Sequence, residues 1–219
     1  GFNANIVSNT YDSEKQCWIL KFDNTITTID AQAFMYCSDL INITLPDRLT
    51  AIKEYSFEGC TSLKEINIPE GVIYMGNSAF SGCSALTSIT LPYSLKTIGA
   101  PFHRCSSLVS FKGNGASEDG RCLFTYKGNG QKEIVAFAPA GLTSYTIPDG
   151  VNIIGYGAFV ACAGLNHVVM PESVTEIGLN AFANCTSLIS INIPEGVTSI
   201  GGSAFTGCTG ELIINSKKI

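Results

Sequence analysis

Seven of the nine cysteines recur at a nearly constant interval along the chain. Cys37, Cys60 and Cys83 lie 23 residues apart, and Cys105 follows Cys83 by 22. A second series with the 23-residue interval consists of Cys162, Cys185 and Cys208. A period in the twenties is the mark of a solenoid, in which copies of one supersecondary unit stack on each other. The spacing therefore predicts one elongated repeat domain rather than two globular ones.

The repeating unit carries apolar residues at fixed positions. Its consensus is I-x-x-x-A-F-x-x-C-x-x-L-x-x-I-x-I-P-x-x-V-x-x-I-G, and the copy that begins at Ile177 matches it most clearly. The segment before each proline alternates apolar and polar residues, which is typical of a half-buried strand. The proline ends the strand because it has no N–H to donate. The A-F-x-x-C segment is too short for a regular helix, and we expect one helical or 3-10 turn there.

A single unit cannot fold alone. It offers about six large apolar side chains, each worth roughly 2–3 kcal/mol when buried. Ordering its backbone costs about 1–2 kcal/mol per residue, which is more than this burial supplies. Stacking supplies the missing stabilisation, because each unit then buries apolar surface against its neighbours and pairs its strand with the strands of two other units. We therefore expect one parallel sheet along one side of a curved solenoid, with the phenylalanines in one continuous column.

The repeat resembles the BspA-like class of leucine-rich repeat proteins. The resemblance rests on the pattern A-F-x-x-C-x-x-L-x-x-I-x-(I/L)-P, which recurs in register over residues 29–110 and 144–214. It implies a leucine-rich repeat solenoid of the α/β class, strand-rich, with a parallel sheet on the concave face and short helical or 3-10 turns opposite. Members of this class are often bacterial surface proteins that adhere to host matrix proteins or to other cells, so the resemblance also implies a bacterial surface protein.

Two segments depart from the repeat. Residues 1–28 contain strand-like runs at 17–22 and 25–29, and we interpret them as an N-terminal cap that covers the first unit. Cys162 follows Cys105 by 57 positions, and the segment between them includes two strand-like runs around Asn129-Gly130, which predict an inserted β-hairpin. The predicted single domain, 1–219, therefore comprises a cap (1–28), repeats (29–110), a hairpin insertion (111–143) and repeats (144–219).

Composition excludes some classes of function. Charged residues make up 14% of the chain, the net charge is −5, and no run of lysine or arginine occurs. Nucleic-acid binding needs a basic face, so this partner is not expected. No apolar stretch reaches the 18 residues of a membrane span. The chain begins with Gly1 rather than methionine, from which we expect that a leader was removed by processing or trimmed off. The resemblance implies that the protein is secreted or held at a cell surface.

Two columns of residues raise the question of metals and disulfides. Stacked cysteines would have Cβ atoms about 5 Å apart, beyond the usual disulfide range, which favours free buried thiols; disulfides or a metal are the alternatives. The residue after each repeat proline is acidic in five of six copies: Asp47, Glu70, Tyr93, Asp149, Glu172 and Glu195. This column either holds Ca²⁺ or forms exposed turns in which water screens the charges. We predict no cofactor and no metal site and leave the Ca²⁺ question open.

The strand residues that point away from the core are the candidate binding residues. The strongest candidates are Asn42, Thr44, Glu65, Asn67, Ser88, Thr90, His167, Ser190 and Asn192. Solenoids commonly bind ligands on such a surface; the alternative is a plain solvated face. Catalysis finds little support, because the two histidines are 64 residues apart and no nucleophile motif is complete.

These observations predict a non-enzymatic, secreted or cell-surface module for protein interaction or adhesion. We expect a monomer that binds a protein or glycan ligand at a cell surface through the solenoid face. One alternative is a glycan-binding or accessory domain of a carbohydrate-processing surface enzyme. Another is a structural spacer, in which changing the exposed strand residues would have no effect.

Overall fold

The fold is built from short strands joined by turns. The computed structural model describes residues 5–14, 17–209 and 213–214, and none of these residues lies in a helix. The strands are β1 (Ile6–Asp12), β2 (Cys17–Phe22), β3 (Thr28–Ile29), β4 (Ala51–Ile52), β5 (Tyr74–Met75), β6 (Ser88–Leu91), β7 (Thr97–Ile98), β8 (Ser110–Gly113), β9 (Cys122–Tyr126), β10 (Lys132–Phe137), β11 (Ser144–Thr146), β12 (Val151–Ile154), β13 (His167–Val169), β14 (Glu176–Ile177), β15 (Ser190–Ile191), β16 (Ser199–Ile200) and β17 (Ile213–Ile214). They confirm the predicted strand-rich parallel solenoid, which has about eight turns.

A complete turn of the solenoid, or rung, can form two strands instead of the one that the sequence predicts, although the first two rungs form only the side strand. Front strands lie just before the repeat prolines and form the sheets β6-β8 and β11-β13-β15-β17. Side strands lie at the Ile-Gly end of the unit and form the sheets β3-β4-β5-β7 and β16-β14-β12-β10-β9. The side strands arise because the residues around each Ile-Gly pair are also extended, so that Gly99 N donates to Met75 O of the preceding rung at 2.9 Å.

Paired strands align residues that hold the same place in successive repeats. Ile52 lies opposite Ile29 on one side and Met75 on the other. In the front strands, Ile89 lies opposite Phe111. One repeat of the sequence therefore advances the chain by one strand spacing, about 4.8 Å, and equivalent side chains form columns along the solenoid.

The A-F-x-x-C segment forms turns with left-handed residues, so the predicted helical turn is not confirmed. In the second rung, Tyr55 (φ 59°) precedes the segment and Gly59 (φ 71°) lies within it. Between them, Phe57 N donates to Ala79 O of the next rung at 2.7 Å. Because this N–H is directed to a neighbouring rung, it does not reach the carbonyl four residues earlier, as an α-helix would require.

The phenylalanines stack in two columns rather than in one continuous column. The rings of Phe57 and Phe80 are nearly parallel, with centroids 5.2 Å apart, and those of Phe159 and Phe182 are 4.9 Å apart. The stacked rings of the first column are Phe34, Phe57, Phe80 and Phe102, and those of the second are Phe137, Phe159, Phe182 and Phe205. The insertion separates the two columns.

The cysteine column is hydrogen-bonded to the phenylalanine column. Cys60 donates its thiol to Phe34 O of the preceding rung (3.1 Å), and Cys83 donates to Phe57 O (3.2 Å). The same contact joins Cys105 to Phe80, Cys185 to Phe159 and Cys208 to Phe182. Eight of the nine cysteines have side chains that the structure describes, and these eight are free; six are buried, Cys208 is half-buried, and Cys37, in the first rung, is exposed. The buried thiols of Cys60, Cys83, Cys105 and Cys185 are therefore core groups with a specific backbone partner.

These thiols predict that alkali weakens the fold. Burial raises the pKa of Cys60 and that of Cys105 to about 12, whereas cysteines of an unfolded chain ionise near pH 8.5. At pH 8 about three quarters of the thiols of the unfolded chain still hold their protons, and ionisation of the rest lowers the free energy of unfolding by only about 0.2 kcal/mol per thiol. At pH 10 the unfolded chain alone releases the protons, so each such thiol lowers the free energy of unfolding by about 1–2 kcal/mol.

Urea unfolding followed by circular dichroism at pH 8 and pH 10 measures this effect. The variant Cys105→Ala is the control, since its unfolding free energy should fall less between the two pH values than that of the parent protein. A parent protein whose unfolding free energy stays constant over this range would contradict the burial of the thiols.

The inserted hairpin of β9 and β10 divides the core into two clusters. Leu123 and Val135 pack into the first cluster, whereas Cys122, Ile134 and Phe137 pack into the second. β10 pairs antiparallel with β9 and parallel with β12, and its last residue, Phe137, stacks on Phe159 at 4.5 Å. The hairpin therefore joins the side sheet of the second half and starts its phenylalanine column.

The N-terminal strands agree with the predicted strand-like runs only in part. β2 occupies the predicted run 17–22, but it pairs antiparallel with β1, which the sequence did not predict. β3 is shorter than the predicted run 25–29 and pairs with β4 in the side sheet. The predicted cap and final repeats also include residues outside the described part of the chain. Among the described residues, no helix is long and apolar enough to cross a bilayer.

Candidate functional site

The front strands direct one row of side chains to solvent and bury the other. In β6, Ser88 and Thr90 are exposed, while Ile89 and Leu91 are no more than 2% exposed. We name the outward row the strand face; its members are Asn42, Thr44, Glu65, Asn67, Ser88, Thr90, Ser110, Lys112, Ser144, Thr146, His167, Val169, Ser190 and Asn192. Eleven of these fourteen residues are exposed, and Ser110, Ser190 and Asn192 are half-buried.

The first two rungs contribute to the strand face without forming front strands. Segments 41–46 and 64–69, which hold Asn42, Thr44, Glu65 and Asn67, are not strands, although the alternation of the sequence predicts strands there. The alternating burial persists nonetheless in the second of them, where Ile66 and Ile68 are 7% and 5% exposed. The four candidates therefore still face solvent.

Asn192 has a structural role that the sequence did not reveal. Its Nδ2 donates to Met170 O at 3.0 Å, and its Oδ1 accepts from Met170 N at 2.7 Å. Met170 belongs to the preceding rung, so the Asn192 amide holds two rungs together in place of a backbone pair. A ligand would have to compete with these bonds, which makes Asn192 a weaker binding candidate than its exposed neighbours.

The strand face is nearly neutral. Its titratable side chains are Glu65, Lys112 and His167, which come from different rungs; the other members are small hydroxyl and amide residues and Val169. Such a surface recognises a ligand through hydrogen bonds and shape, and its binding should depend only weakly on salt.

The acidic column that follows the prolines is exposed, and its member Glu70 is hydrogen-bonded within the protein. Glu70 Oε2 accepts a hydrogen bond from Tyr93 N of the next rung at 3.1 Å. In the part of the chain that the structure describes, no three histidine, cysteine or acidic side chains come together in a group that could hold a metal ion. Turn chemistry with a hydrogen bond between rungs accounts for the Glu70 position without a cation.

The two histidines lie in unrelated environments. His103 is 9% exposed, its Nε2 lies 3.2 Å from Tyr156 O, and its ring meets the Tyr156 ring edge-on. Burial lowers the pKa of His103. His167 is exposed on the strand face. His103 thus connects the rungs on the two sides of the insertion, and the structure does not bring the histidines together.

A polar network beneath the insertion was missed by the sequence analysis. Cys122 donates its thiol to the Tyr145 hydroxyl (3.4 Å), which donates to Asp119 Oδ2 (3.0 Å), and Ser117 Oγ donates to Asp119 Oδ1 (2.6 Å). Burial raises the pKa of Cys122 to about 12 and also raises that of Tyr145. These groups hold their protons, so the network ties the insertion to the next rung and does not activate a nucleophile.

A second surface feature lies where the insertion interrupts the side sheet. A groove with a volume of about 550 Å³ runs between β7, the segment 114–118 and β9. We name it the insertion groove. Its only signal in the sequence is the broken cysteine spacing between Cys105 and Cys162, which predicts an insertion but not a cleft.

Comparison with known proteins agrees with this geometry. The family model described as "BspA type Leucine rich repeat region" matches six copies over residues 4–126 and 133–217. No curated protein sequence matches the chain.

Three solved structures resemble this chain to different degrees, and the first two of them share its fold. A leucine rich cell surface protein from Faecalibacterium prausnitzii is 29% identical with a TM-score of 0.68, and the match covers 85% of this chain and 63% of that one. The pneumococcal vaccine antigen PcpA is 20% identical with a TM-score of 0.50, covering 87% and 68%. A leucine-rich repeat protein from Eubacterium ventriosum is 18% identical with a TM-score of 0.49, covering 81% and 61%.

The chain spans less than two thirds of the length of the Faecalibacterium and Eubacterium proteins. The family match, by contrast, extends over nearly all of this chain and confirms the resemblance seen in its repeats. The chain therefore belongs to the BspA type leucine-rich repeat family.

Proposed function

We propose that this chain is a non-enzymatic interaction module that binds a protein through the strand face, outside a bacterial cell. The observation that carries the proposal is the strand face itself, a row of small hydrogen-bonding side chains repeated over successive rungs. Leucine-rich repeat families commonly provide protein-binding surfaces. The Faecalibacterium structure is described as a cell surface protein, which supports an extracellular location for this chain.

The stacking of rungs favours binding by a preorganised surface. Front strands pair in parallel, as in Ser144 with His167 and His167 with Ser190, so the backbone beneath the face is already ordered. Binding then costs little conformational entropy, because the protein does not have to become ordered. A broad, shallow surface of this kind can bind a ligand without a deep pocket.

The positions of the proton-transfer groups favour a non-enzymatic role. Glu65 and His167 are the groups of the strand face best suited to acid–base chemistry, but they belong to rungs on opposite sides of the insertion. Groups that act together must both reach the reacting atoms within hydrogen-bond distance. Glu65 and His167 therefore cannot serve as a catalytic pair on one substrate.

A binding panel tests the proposal. The purified chain is immobilised and probed by biolayer interferometry with fibronectin, laminin and collagen, and separately with a glycan array. We expect at least one protein to bind, and we expect the triple variant Glu65→Ala, Asn67→Ala, His167→Ala to weaken that binding by about tenfold or more.

The matched control carries Thr61→Ala, Glu176→Ala and Thr186→Ala, three exposed positions outside the strand face. It should bind like the parent protein. Unchanged binding by the face variant would overturn the assignment of the surface. Binding to glycans alone would favour a glycan-binding module, and no binding at all would favour a structural spacer.

We also propose that residues 1–219 form one monomeric domain with the predicted boundaries at 28, 110 and 143. Sedimentation velocity should give one species of monomer mass. Limited proteolysis should cut first within the insertion, 111–143, and early cleavage inside the repeats would contradict these boundaries.

A further inference from the structure

The side sheet is broken at the insertion. β7 is the last strand of the first side sheet, and β9 is the first strand of the second, so no strand pairs with the outer edge of β7 among the described residues. The insertion groove lies between these two strands. Where every other interior rung continues the sheet, this position has an open edge.

The open edge carries specific unpaired backbone groups. In each earlier rung the carbonyl of the side-strand isoleucine or its equivalent accepts an N–H from the next rung: Ile52 O accepts from Gly76 N, and Met75 O accepts from Gly99 N, both at 2.9 Å. The equivalent carbonyl, Ile98 O, and the one two residues before it, Lys96 O, receive no such bond from the described part of the chain. They offer acceptors at the spacing of a strand ladder.

The wall of the insertion groove opposite β7 contains β9. This wall cannot pair with a further strand, and it carries aromatic side chains. Ser117 N donates to Cys122 O (2.8 Å) and Phe124 N donates to Gly115 O (2.7 Å), so the segment 114–118 covers that edge of β9. Beyond it, Tyr126 is 67% exposed. An occupant would therefore pair with β7 alone and pack against the rings on the other side.

The charges around the groove favour an acidic occupant. Lys96 is exposed, and Lys132 Nζ lies 3.9 Å above the centre of the Phe124 ring. Neither lysine forms an ion pair with a described residue, whereas Lys53 and Lys127 pair with Asp30 at 2.8 Å and Glu133 at 2.7 Å. Glu118 is the one acidic side chain of the described lining. Because the whole chain has a net charge of −5, this local excess of positive charge distinguishes the groove from the rest of the surface.

We propose that the insertion groove binds an extended, acidic peptide segment, which adds to β7 as a further strand. The peptide backbone donates to Lys96 O and Ile98 O, its carboxylates lie near Lys96 and Lys132, and its apolar side chains contact Tyr126 and the buried floor around Leu123. Addition of a strand to an open sheet edge is a general mode of peptide recognition. The groove is a second site, separate from the strand face.

Fluorescence anisotropy with a labelled peptide tests this. The probe is a pentapeptide of alternating valine and aspartate with blocked ends. We expect a dissociation constant below about 1 mM. Lys96→Glu should weaken binding by about fivefold or more, because it replaces attraction by repulsion at the groove, and Tyr126→Ala should also weaken it. Lys64→Glu, the same charge change at an exposed site away from the groove, should leave it unchanged.

Two further peptides separate the contribution of backbone hydrogen bonds to binding from that of the charges. A pentapeptide with lysine in place of aspartate, and one with N-methylated valines, should both bind at least about fivefold more weakly. Equal binding by either peptide, or equal loss in Lys64→Glu, would overturn the proposal. So would absence of binding at 1 mM, or a concentration-dependent dimer abolished by Lys96→Glu, which would make a second copy of the chain the occupant. The strand-face triple variant should retain peptide binding, so failure of one site does not imply failure of the other.

Discussion

Replacement of Phe182 by alanine is expected to lower the free energy of unfolding by about 3–5 kcal/mol, the usual cost of emptying a buried phenylalanine site. Phe182 is fully buried and stacks on Phe159 and Phe205, at centroid distances of 4.9 and 5.5 Å. The substitution leaves a cavity between two rungs, and neighbouring rungs cannot close it because their spacing is fixed by the strand ladders on either side. Urea unfolding followed by circular dichroism measures the loss.

Tyr93→Ala is the matched control for this prediction. Tyr93 is an aromatic residue of the repeat region, but it is 81% exposed, and exposed substitutions usually change stability by less than about 0.5 kcal/mol. If Phe182→Ala cost no more than Tyr93→Ala, the phenylalanine columns would not be the core of the fold.

Replacement of Gly76 by alanine is expected to destabilise the protein by about 1–3 kcal/mol, the range for overpacking a close-packed interior. A Cβ at Gly76 would lie 2.5 Å from Glu54 N and 2.8 Å from Lys53 C, both backbone atoms of the preceding rung. The added methyl would push two rungs apart, and the bond from Gly76 N to Ile52 O would lengthen from 2.9 Å. Thermal unfolding should show a lower midpoint.

Gly202→Ala separates the clash from the general effect of the substitution. A Cβ at Gly202 would meet only Leu179 Cδ1, at an ordinary 3.5 Å. Since alanine also restricts the unfolded chain, this variant should be neutral or slightly stabilised, by up to about 1 kcal/mol. Equal destabilisation by both substitutions would contradict the close approach of rungs at Gly76.

The stacking of rungs could be predicted from sequence because it follows from the period alone. Cysteines and phenylalanines that recur every 23 residues must occupy equivalent environments if the units stack, and the pairing of Ile52 with Ile29 and Met75 has this register. The outward row of the front strands follows in the same way from the alternation around Ile89 and Ile191.

The direction of the backbone groups between these side chains could not be predicted. A period shows which residues are equivalent, but a turn with left-handed residues at Tyr55 and Gly59 and a helical turn share the same apolar pattern. The hydrogen bonds of Asn192 and of the cysteine thiols were missed for the same reason, because they depend on where a carbonyl of the preceding rung points.

The insertion is the second feature that the sequence predicts only in part. Its length and the Asn129-Gly130 turn predict a hairpin, and β9 and β10 pair antiparallel. The sequence did not show that β10 would join the side sheet of the second half, or that β7 would keep an open edge. Both results depend on long-range packing, in which Phe137 stacks on Phe159 and the segment 114–118 folds back on β9.

The central claim is that successive copies of the repeat stack so that equivalent residues touch. Nuclear Overhauser spectra of protein with labelled phenylalanine test it most directly. We expect ring-to-ring cross-peaks between Phe57 and Phe80 and between Phe159 and Phe182, whose centroids lie 5.2 and 4.9 Å apart, and none between Phe57 and Phe182. Absence of the first two contacts, or contact between residues of the two columns, would contradict the stacked solenoid and the strand face built on it.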